Sequence, residues 1–277
     1  MDKAKLYSKH NEEQTQSAKK FFKYFGEFLR EKFGKNSVTI IDIGTGCGRV
    51  LVEIFMTESQ LNFSKVVGVD KSQAMVDLAI KTYGNDHIYF HLMDIQESIP
   101  RPMKFPEFDI VSSFYCLHWV QDLPLAFVKI KNFLKSDGIF CCVFILTHIL
   151  IDIWNELIDK YSPYMNNWRG NFNYICYLEN ADEIIKKMLR ESGIEIIKFI
   201  DEKNDMFNFG TKEFFTASLE AVNPCLKLMP EQLKNEFLHD QLDVLYNLQK
   251  GKENLFDVKR RIFYFVGRKN LNSNIIE

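Results

Sequence analysis

The sequence has few of the features that mark exported, membrane-spanning or nucleic-acid-binding proteins. Its six cysteines form no CxxC pair, which favours reduced thiols and a cytoplasmic location. No apolar run approaches the roughly 20 residues that a membrane span needs, and residues 1–16 lack an apolar signal core. The net charge of −2 gives no electrostatic reason to expect nucleic acid as a partner.

Phenylalanine, in contrast, is abundant, with 25 in 277 residues. Such a surplus can fill a core or line a cavity for an apolar ligand, and composition alone leaves both readings open. The length fits one large domain over residues 1–277, elaborated by a cap.

Hydrophobic periodicity predicts alternating helices and strands. A first amphipathic helix is expected at about 12–33, with Asn11 and Gln14 as a candidate capping box at its start. Seven apolar runs predict strands, at 38–43, 65–69, 88–93, 108–114, 138–146, 194–200 and 261–266. This order indicates an α/β fold, a doubly wound, Rossmann-like and mostly parallel seven-stranded sheet.

The alternation is interrupted twice along the chain. Residues 148–180 and 203–257 are predicted to be helical insertions. Together with the helix at 12–33 they are expected to cap the substrate site over one edge of the sheet. The sheet core is then expected at about 36–147, 181–202 and 258–269.

The segment IIDIGTGCGRV places an acidic residue and three glycines at the first strand and its turn: Asp42, Gly44, Gly46 and Gly48. Glycine is needed where backbone bends sharply and approaches a ligand. A nicotinamide fingerprint would need a further glycine where this chain has Arg49. The GxGxG spacing instead resembles motif I of class I S-adenosylmethionine-dependent methyltransferases.

Two more acidic residues follow later strands. Asp70 ends VVGVD and Asp94 ends HLMD, so both are expected in the crevice at the carboxyl ends of the strands. The resemblance implies that Asp70 holds the ribose of S-adenosylmethionine and that Asp94, Ile95 and Met75 surround its adenine. The alternatives are solvated carboxylates for each Asp and core packing for Met75.

Bulky residues follow the fourth strand in SFYCLHWVQ, where a turn would usually carry small ones. In this fold the segment borders the sulfonium, so Phe114 and Tyr115 are expected to wall the reacting methyl group. His118 and Trp119 would offer N–H donors there. A core histidine and an indole that plugs the sheet end are the competing interpretations.

SFY-x-LHW is similar to a segment of insect juvenile hormone acid O-methyltransferases. The resemblance extends along nearly the whole chain, through LYSKHNEEQ, NPC near position 224 and the terminal GRK. It implies that Gln14 and Trp119 hold the substrate carboxylate with His118 beside them, although Gln14 could instead only cap its helix. Two departures from the family leave the identity of the substrate open. The sequence Gly46-Cys47-Gly48 differs from the loop of several family members, and the cap is too variable to match residue by residue.

These observations predict an S-adenosylmethionine-dependent O-methyltransferase that esterifies a long apolar acid, either farnesoic acid or a juvenile hormone acid. A carboxylic acid is already ionised at neutral pH, so its methylation needs no strong base. The alternatives are a paralog acting on another apolar acid or small metabolite, and a catalytically silent isoprenoid carrier. A metal site at His87 and His91 is not expected, because no matching acidic or cysteine ligands accompany them.

Overall fold

A computed structural model describes residues 3–97, 108–165, 173–223, 226, 229–250 and 256–270. The strands are β1 Ser37–Ile43, β2 Asn62–Asp70, β3 Ile88–Leu92, β4 Phe108–Phe114, β5 Leu134–His148, β6 Ile194–Asn208 and β7 Asp257–Lys269. The α-helices are α1 Lys3–Lys9, α2 Glu12–Phe33, α3 Met56–Ser59, α4 Gln73–Tyr83, α5 Leu123–Phe133, α6 Ile149–Leu157, α7 Ser162–Met165, α8 Ala181–Glu191, α9 Lys212–Val222 and α10 Glu231–Leu248. Shorter turns are a π-helix at Val50–Phe55 and 3₁₀ turns at Leu117–Trp119 and Tyr174–Tyr177.

The strands form a single sheet in the order β3-β2-β1-β4-β5-β7-β6. The pairings from β3 through β5 are parallel, and β7 runs antiparallel to both of its neighbours. The predicted Rossmann-like, mostly parallel seven-stranded sheet is therefore confirmed.

The strand order reverses at β1, which pairs with β2 on one side and β4 on the other. The connections after β1 and β4 therefore leave in opposite directions and open a crevice at the carboxyl ends of these strands. Ligands of open α/β sheets bind at this topological switch point. Both sequence segments singled out above, the glycine turn and SFYCLHWVQ, end there.

Each face of the sheet carries its own hydrophobic core. Because side chains alternate along a strand, Ile110 faces the side covered by α2 and the π-helix, whereas Val111 faces α5 and α8. The α2 side is rich in aromatic contacts, with the Phe21 ring 4.8 Å from Phe114 and the Phe22 ring 4.9 Å from Phe55. Phenylalanines fill both cores, which answers the question that composition left open.

Four helices, α1, α6, α9 and α10, cover the crevice and are called the cap here. Helix α10 packs on α6 and α9, and α1 packs on α9 and α4. The predicted insertion boundary at 203 differs from the structure, because β6 continues to Asn208 alongside β7. β6 lies at the edge of the sheet, where charged side chains are tolerated on the exposed face. Phe207, on the buried face of β6, is 2% exposed.

Helix α1 lies in a segment for which the sequence predicted no element. Its residues Ala4 and Leu6 are buried, and Tyr7 reaches the crevice. Among all the helices described, none combines the length and the apolar character that crossing a bilayer requires.

Candidate active site

The turn after β1 brings the backbone close to its neighbours. Gly44 and Gly46 have φ angles of +75° and +56°, a region that favours glycine. A Cβ on Gly44 would lie 2.2 Å from the Cys116 sulfur, and one on Gly46 would lie 3.4 Å from the Tyr7 ring. Glycine is thus required at Gly44 by the approach of the segment after β4, and both residues line the cavity.

Asp70 ends β2 beside this turn. Its Oδ2 accepts the N–H of Gly46 and its Oδ1 accepts the N–H of Ser72, both at 2.9 Å. Burial raises the pKa of Asp70, and the two backbone N–H groups partly offset that rise. Each oxygen keeps a lone pair, so the carboxylate can accept two further hydrogen bonds from a diol that enters the cavity.

The other residues expected around the adenine lie on the same wall. Met75, Asp94 and Ile95 all line the cavity together with Asp70. Asp94 Oδ1 accepts the N–H of Gln96 at 2.9 Å, which fixes the carboxylate at the end of β3. Ile95 is 4% exposed and offers an apolar surface. The wall thus combines fixed acceptors with apolar faces.

Phe114 packs in the core beneath α2. Its ring lies 4.8 Å from that of Phe21 and 5.8 Å from that of Phe55. It is not among the described residues that line the cavity, because strand alternation turns it to the same face as Ile110. Its contact with the cofactor stays a prediction.

Asp42 and Gly48 also lie outside the cavity lining. Asp42 accepts a 2.7 Å hydrogen bond from Ser112 Oγ, and burial raises its pKa to about 7. Gly48 has φ +83°, and a Cβ there would lie 3.0 Å from the Phe90 ring and 3.1 Å from Tyr83. Both residues support the turn through these contacts, and their direct contact with the cofactor stays a prediction.

The bulky segment after β4 begins with a strained residue. Tyr115 has φ +59°, which is rare for a residue with a side chain. Its hydroxyl lies 2.8 Å from Ser17 Oγ and accepts a hydrogen bond from Arg260 Nη1 at 3.0 Å. These buried bonds hold the chain in a sharp turn, which places the sulfur of Cys116 under Gly44. Tyr115 lines the cavity, as predicted for a substrate-binding residue.

His118 and Trp119 follow in a 3₁₀ turn, and both line the cavity. His118 is 2% exposed, with ring centroids 5.3 Å from Trp119 and 6.1 Å from Phe144. Burial lowers the pKa of His118 to about 3, so its imidazole is neutral at physiological pH. Trp119 is half-buried and packs on the core beneath it. Core packing and cavity lining thus coexist at both positions.

Gln14 lies in the first turn of α2 with 7% exposure and lines the cavity. The capping box proposed for it is wrong, because Asn11 makes no side-chain cap bond. The Asn11 amide instead accepts from Arg49 Nη1 at 2.8 Å and donates to the Cys47 sulfur at 3.7 Å. Among the described residues, Gln14 Oε1 has no hydrogen-bond partner. A buried amide without a partner is costly, so this position calls for a ligand.

A buried charge network beneath Gln14 was not predicted from the sequence. Arg260 is 1% exposed and donates from Nη1 to Glu13 Oε1 at 2.7 Å and from Nη2 to Asp205 Oδ2. Burial by itself raises the pKa of Glu13, but His148 and Arg260 outweigh burial and lower it to about 2. Glu13 is therefore ionised and its charge is balanced. The network ties the first turn of α2 to β5, β6 and β7.

His148 completes this network, and both of its ring nitrogens are engaged. Nε2 lies 3.0 Å from Glu13 Oε1, and Nδ1 accepts the N–H of Leu150 at 3.1 Å. Because Nδ1 accepts this bond, the ring proton that faces Glu13 resides on Nε2. His148 lines the cavity but has no free lone pair with which to act as a base.

The cavity has a volume of about 550 Å³, within the range typical of small-molecule sites. Away from the β1 turn its walls come from β5 and from the cap helices α6 and α9. The residues there are Ile145, Leu150, Ile151, Trp154, Ala221, Val222 and Asn223. No phenylalanine belongs to the described lining. These cap residues were missed because the sequence of the insertions shows no clear period.

The residues around the β1 turn fit S-adenosylmethionine. The turn has no side chain at Gly44 and Gly46 to obstruct a ligand, Asp70 holds two open acceptor positions, and Asp94 with Ile95 completes the wall. S-adenosylmethionine carries no phosphate, so the site does not need to bind a pyrophosphate as a dinucleotide site does. The acidic character of this wall agrees with such a ligand.

This fold and site define a class I methyltransferase. Residues 34–193 match the family described as a methyltransferase domain, and the chain belongs to that family. Its cofactor is S-adenosylmethionine.

The particular resemblance seen in the sequence is confirmed as well. The chain is 29% identical over 261 residues to the juvenile hormone acid O-methyltransferase of Drosophila melanogaster, covering 92% of this chain and 86% of that protein. It is 28% identical over 265 residues to the Bombyx mori protein of the same name, covering 90% and 88%. The YcgJ protein from Bacillus, a solved structure, matches with a TM-score of 0.53 and 16% identity, covering 89% of this chain and 97% of that one.

Asp70→Ala is expected to weaken S-adenosylmethionine binding by about 1.5–3 kcal/mol, roughly 10- to 150-fold in Kd. The reason is the loss of a charged acceptor pair on the cavity wall. Titration calorimetry of the purified protein measures the effect. Asp77→Ala, an exposed carboxylate on α4, serves as the control and should leave Kd unchanged. Equal affinity of Asp70→Ala and wild type would remove Asp70 from the cofactor site.

Proposed function

We propose that this methyltransferase esterifies the carboxylate of a long apolar acid, with farnesoic acid or a juvenile hormone acid as the best candidates. The observation that carries the proposal is the composition of the cavity. Three neutral side chains with N–H groups, Gln14, His118 and Trp119, line the cavity, whereas its part under the cap is mostly aliphatic. The names of the Drosophila and Bombyx relatives support the same substrate class.

The part of the cavity lined by Gln14, His118 and Trp119 is called the head here. It is suited to hold an anion without pairing it to a cation. S-adenosylmethionine supplies an electrophilic methyl group on a sulfonium, and a carboxylate oxygen must approach it in line at roughly 3 Å. Gln14 and Trp119 can donate N–H groups to the anion from the cavity wall. Neutral donors orient the anion and leave no charged partner behind when the two charges cancel in the transition state.

The titration state of the site agrees with an acceptor that is already ionised. Methylation of an aliphatic hydroxyl would need a general base within reach. His148 uses both ring nitrogens in protein hydrogen bonds, and the pKa of His118, at about 3, makes it a poor base at neutral pH. Glu13 has a pKa of about 2 and is likewise a weak base. A carboxylate acceptor requires none of them.

The tail of the acid is expected to lie against the aliphatic wall under the cap. Ile145, Ile151 and Val222 present apolar side chains there. Burial of a hydrocarbon chain against such a surface is worth about 0.8 kcal/mol per methylene. The apolar wall therefore supplies most of the binding energy, while the donors at the head supply orientation.

Activity on a series of acids tests this proposal. With S-adenosylmethionine carrying a labelled methyl group, kcat/KM should rise from hexanoic to decanoic acid by about 3 kcal/mol, roughly 200-fold, and farnesoic acid should be accepted efficiently. Label in the organic extract measures ester formation. The matched control is 1-decanol, which keeps the tail but lacks the carboxylate, and it should receive no label.

Three results would contradict the proposal in different ways. A flat series would mean that the apolar wall does not bind the tail. Label on 1-decanol would indicate hydroxyl methylation and a base that the site geometry does not provide. Binding of the acids without any ester would favour the silent carrier.

A further inference from the structure

A large indole, Trp154, lies among the cap residues that line the cavity. Trp154 lies on α6, which starts directly after His148 at the head of the cavity. Trp154 follows His148 by six positions, which corresponds to roughly 9 Å along the helix axis. The indole lines the cavity and is 1% exposed. Protein rather than solvent therefore lies behind it.

A buried hydrogen-bond cluster fixes the indole in place. Trp154 Nε1 donates to Gln241 Oε1 at 2.7 Å, and Asn223 Nδ2 reaches the same oxygen at 3.3 Å. Gln241 Nε2 donates to the carbonyl of Phe237 one helical turn earlier on α10, which settles the orientation of its amide. Gln241 is 0% exposed. Rotation of the indole would break a buried bond, so this wall resists displacement.

The neighbouring side chains on the same wall are less constrained. Leu150, Ile151 and Val222 line the cavity. Their aliphatic side chains can make only packing contacts with the tail of a substrate. Such side chains can adjust to an added methylene more easily than a hydrogen-bonded ring. The position that resists a longer tail is therefore the indole.

We propose that Trp154, held by Gln241, sets the maximum length of the apolar tail that the cavity admits. This inference rests on the proposed function, since it concerns the acid whose carboxylate lies near Gln14. It assigns to the cap a specific role in substrate selection. Acids that reach past the indole are excluded by its rigid position, and shorter acids leave unfilled space in front of it.

The test is the chain-length profile of methyl transfer. Trp154→Leu and Trp154→Ala should move the optimum to longer straight-chain acids across the series from octanoic to hexadecanoic acid. If two further methylenes become buried, kcat/KM for the longer acid should rise roughly 15-fold relative to wild type, corresponding to about 0.8 kcal/mol for each methylene. Activity on the acid that is optimal for wild type should fall, because that acid loses contact with the ring.

Tyr161→Leu provides a matched control. Tyr161 is a buried aromatic residue between α6 and α7, 3% exposed, whose ring packs on Phe237 of the cap helix α10 at 4.8 Å but does not line the cavity. This variant should be destabilised to a similar extent while its chain-length optimum stays at that of wild type. An equal shift in Tyr161→Leu and Trp154→Leu would show that general loosening of the cap, not the indole wall, sets the length.

A binding measurement separates this inference from the proposed function. The rise in Tm that each acid produces in the presence of S-adenosylhomocysteine reports tail accommodation without any methyl transfer. If the longest acid that raises Tm is longer in Trp154→Leu than in wild type, but no variant forms an ester, the inference is supported and the proposed function is refuted. Ester formation with an unmoved limit would refute the inference alone.

Discussion

Gln14→Leu and Trp119→Phe are each expected to lower kcat by roughly 10²–10³, corresponding to about 2–4 kcal/mol. Each change keeps most of the apolar volume and deletes an N–H donor near the reacting carboxylate. Gln14 is the stronger case, because its side chain is buried and lines the cavity, where its amide N–H groups can donate to the anion. Turnover is measured with labelled cofactor and saturating farnesoic acid.

The results expected for the variants distinguish a role in orienting the substrate carboxylate from general damage to the cavity. Cofactor affinity and Tm should stay near those of wild type, since both side chains are assigned to the substrate and not to the cofactor. Because both donors hold one group, the double mutant should lose less than the sum of the two single losses. Gln16→Leu is the matched control, an exposed glutamine in the same helix, and should leave kcat unchanged.

Two outcomes would overturn this role. Early melting with loss of cofactor binding in both variants would mean that Gln14 and Trp119 stabilise the cleft rather than orient the substrate. Normal turnover in both would assign the carboxylate to other groups, of which His118 is the nearest candidate. The neutral imidazole of His118 lines the same part of the cavity.

The cofactor wall could be predicted because its signals are local in sequence. A glycine turn and a strand-end carboxylate each mark a position relative to one strand, and parallel strands bring those ends to one edge. Asp70 and Asp94 were placed correctly on the cavity wall in this way. The packing of Phe114 beneath α2 was not predicted, since the end of a strand is easier to predict than the face on which its last residue lies.

The network around Arg260 could not be predicted, because it joins residues that are distant in sequence. Glu13, His148 and Asp205 each look like a solvated polar residue in its own segment. Only the packing of α2 across β5, β6 and β7 brings them within hydrogen-bond distance. The one available signal was a charged residue inside the otherwise apolar last strand, since such a residue is seldom buried without partners.

Arg260→Met is expected to lower the free energy of unfolding by about 3–5 kcal/mol. Methionine keeps the length of the apolar stem but removes the guanidinium, which lies over the Phe207 ring and pairs with two buried carboxylates. Glu13 would retain only His148, and Asp205 would retain only Lys20 among the contacts described. Urea denaturation measures the loss. Arg268→Met on the same strand is the control, because its exposed pair with Glu195 should contribute under about 1 kcal/mol.

The same network makes a prediction about acid stability. The pKa of Glu13 is lowered from 4.5 to about 2 in the folded protein, so its contribution is fully present above the unfolded value and is lost as the pH falls between about 4.5 and 2. In Arg260→Met the folded pKa should rise, and the acid transition should therefore begin at higher pH than in wild type. Glu13→Gln in the Arg260→Met background removes one of the unpaired carboxylates and should restore part of the stability. If Arg260→Met loses no more stability than Arg268→Met and unfolds at the same pH, the buried network does not hold α2 against the sheet, and Gln14 must be positioned by packing alone.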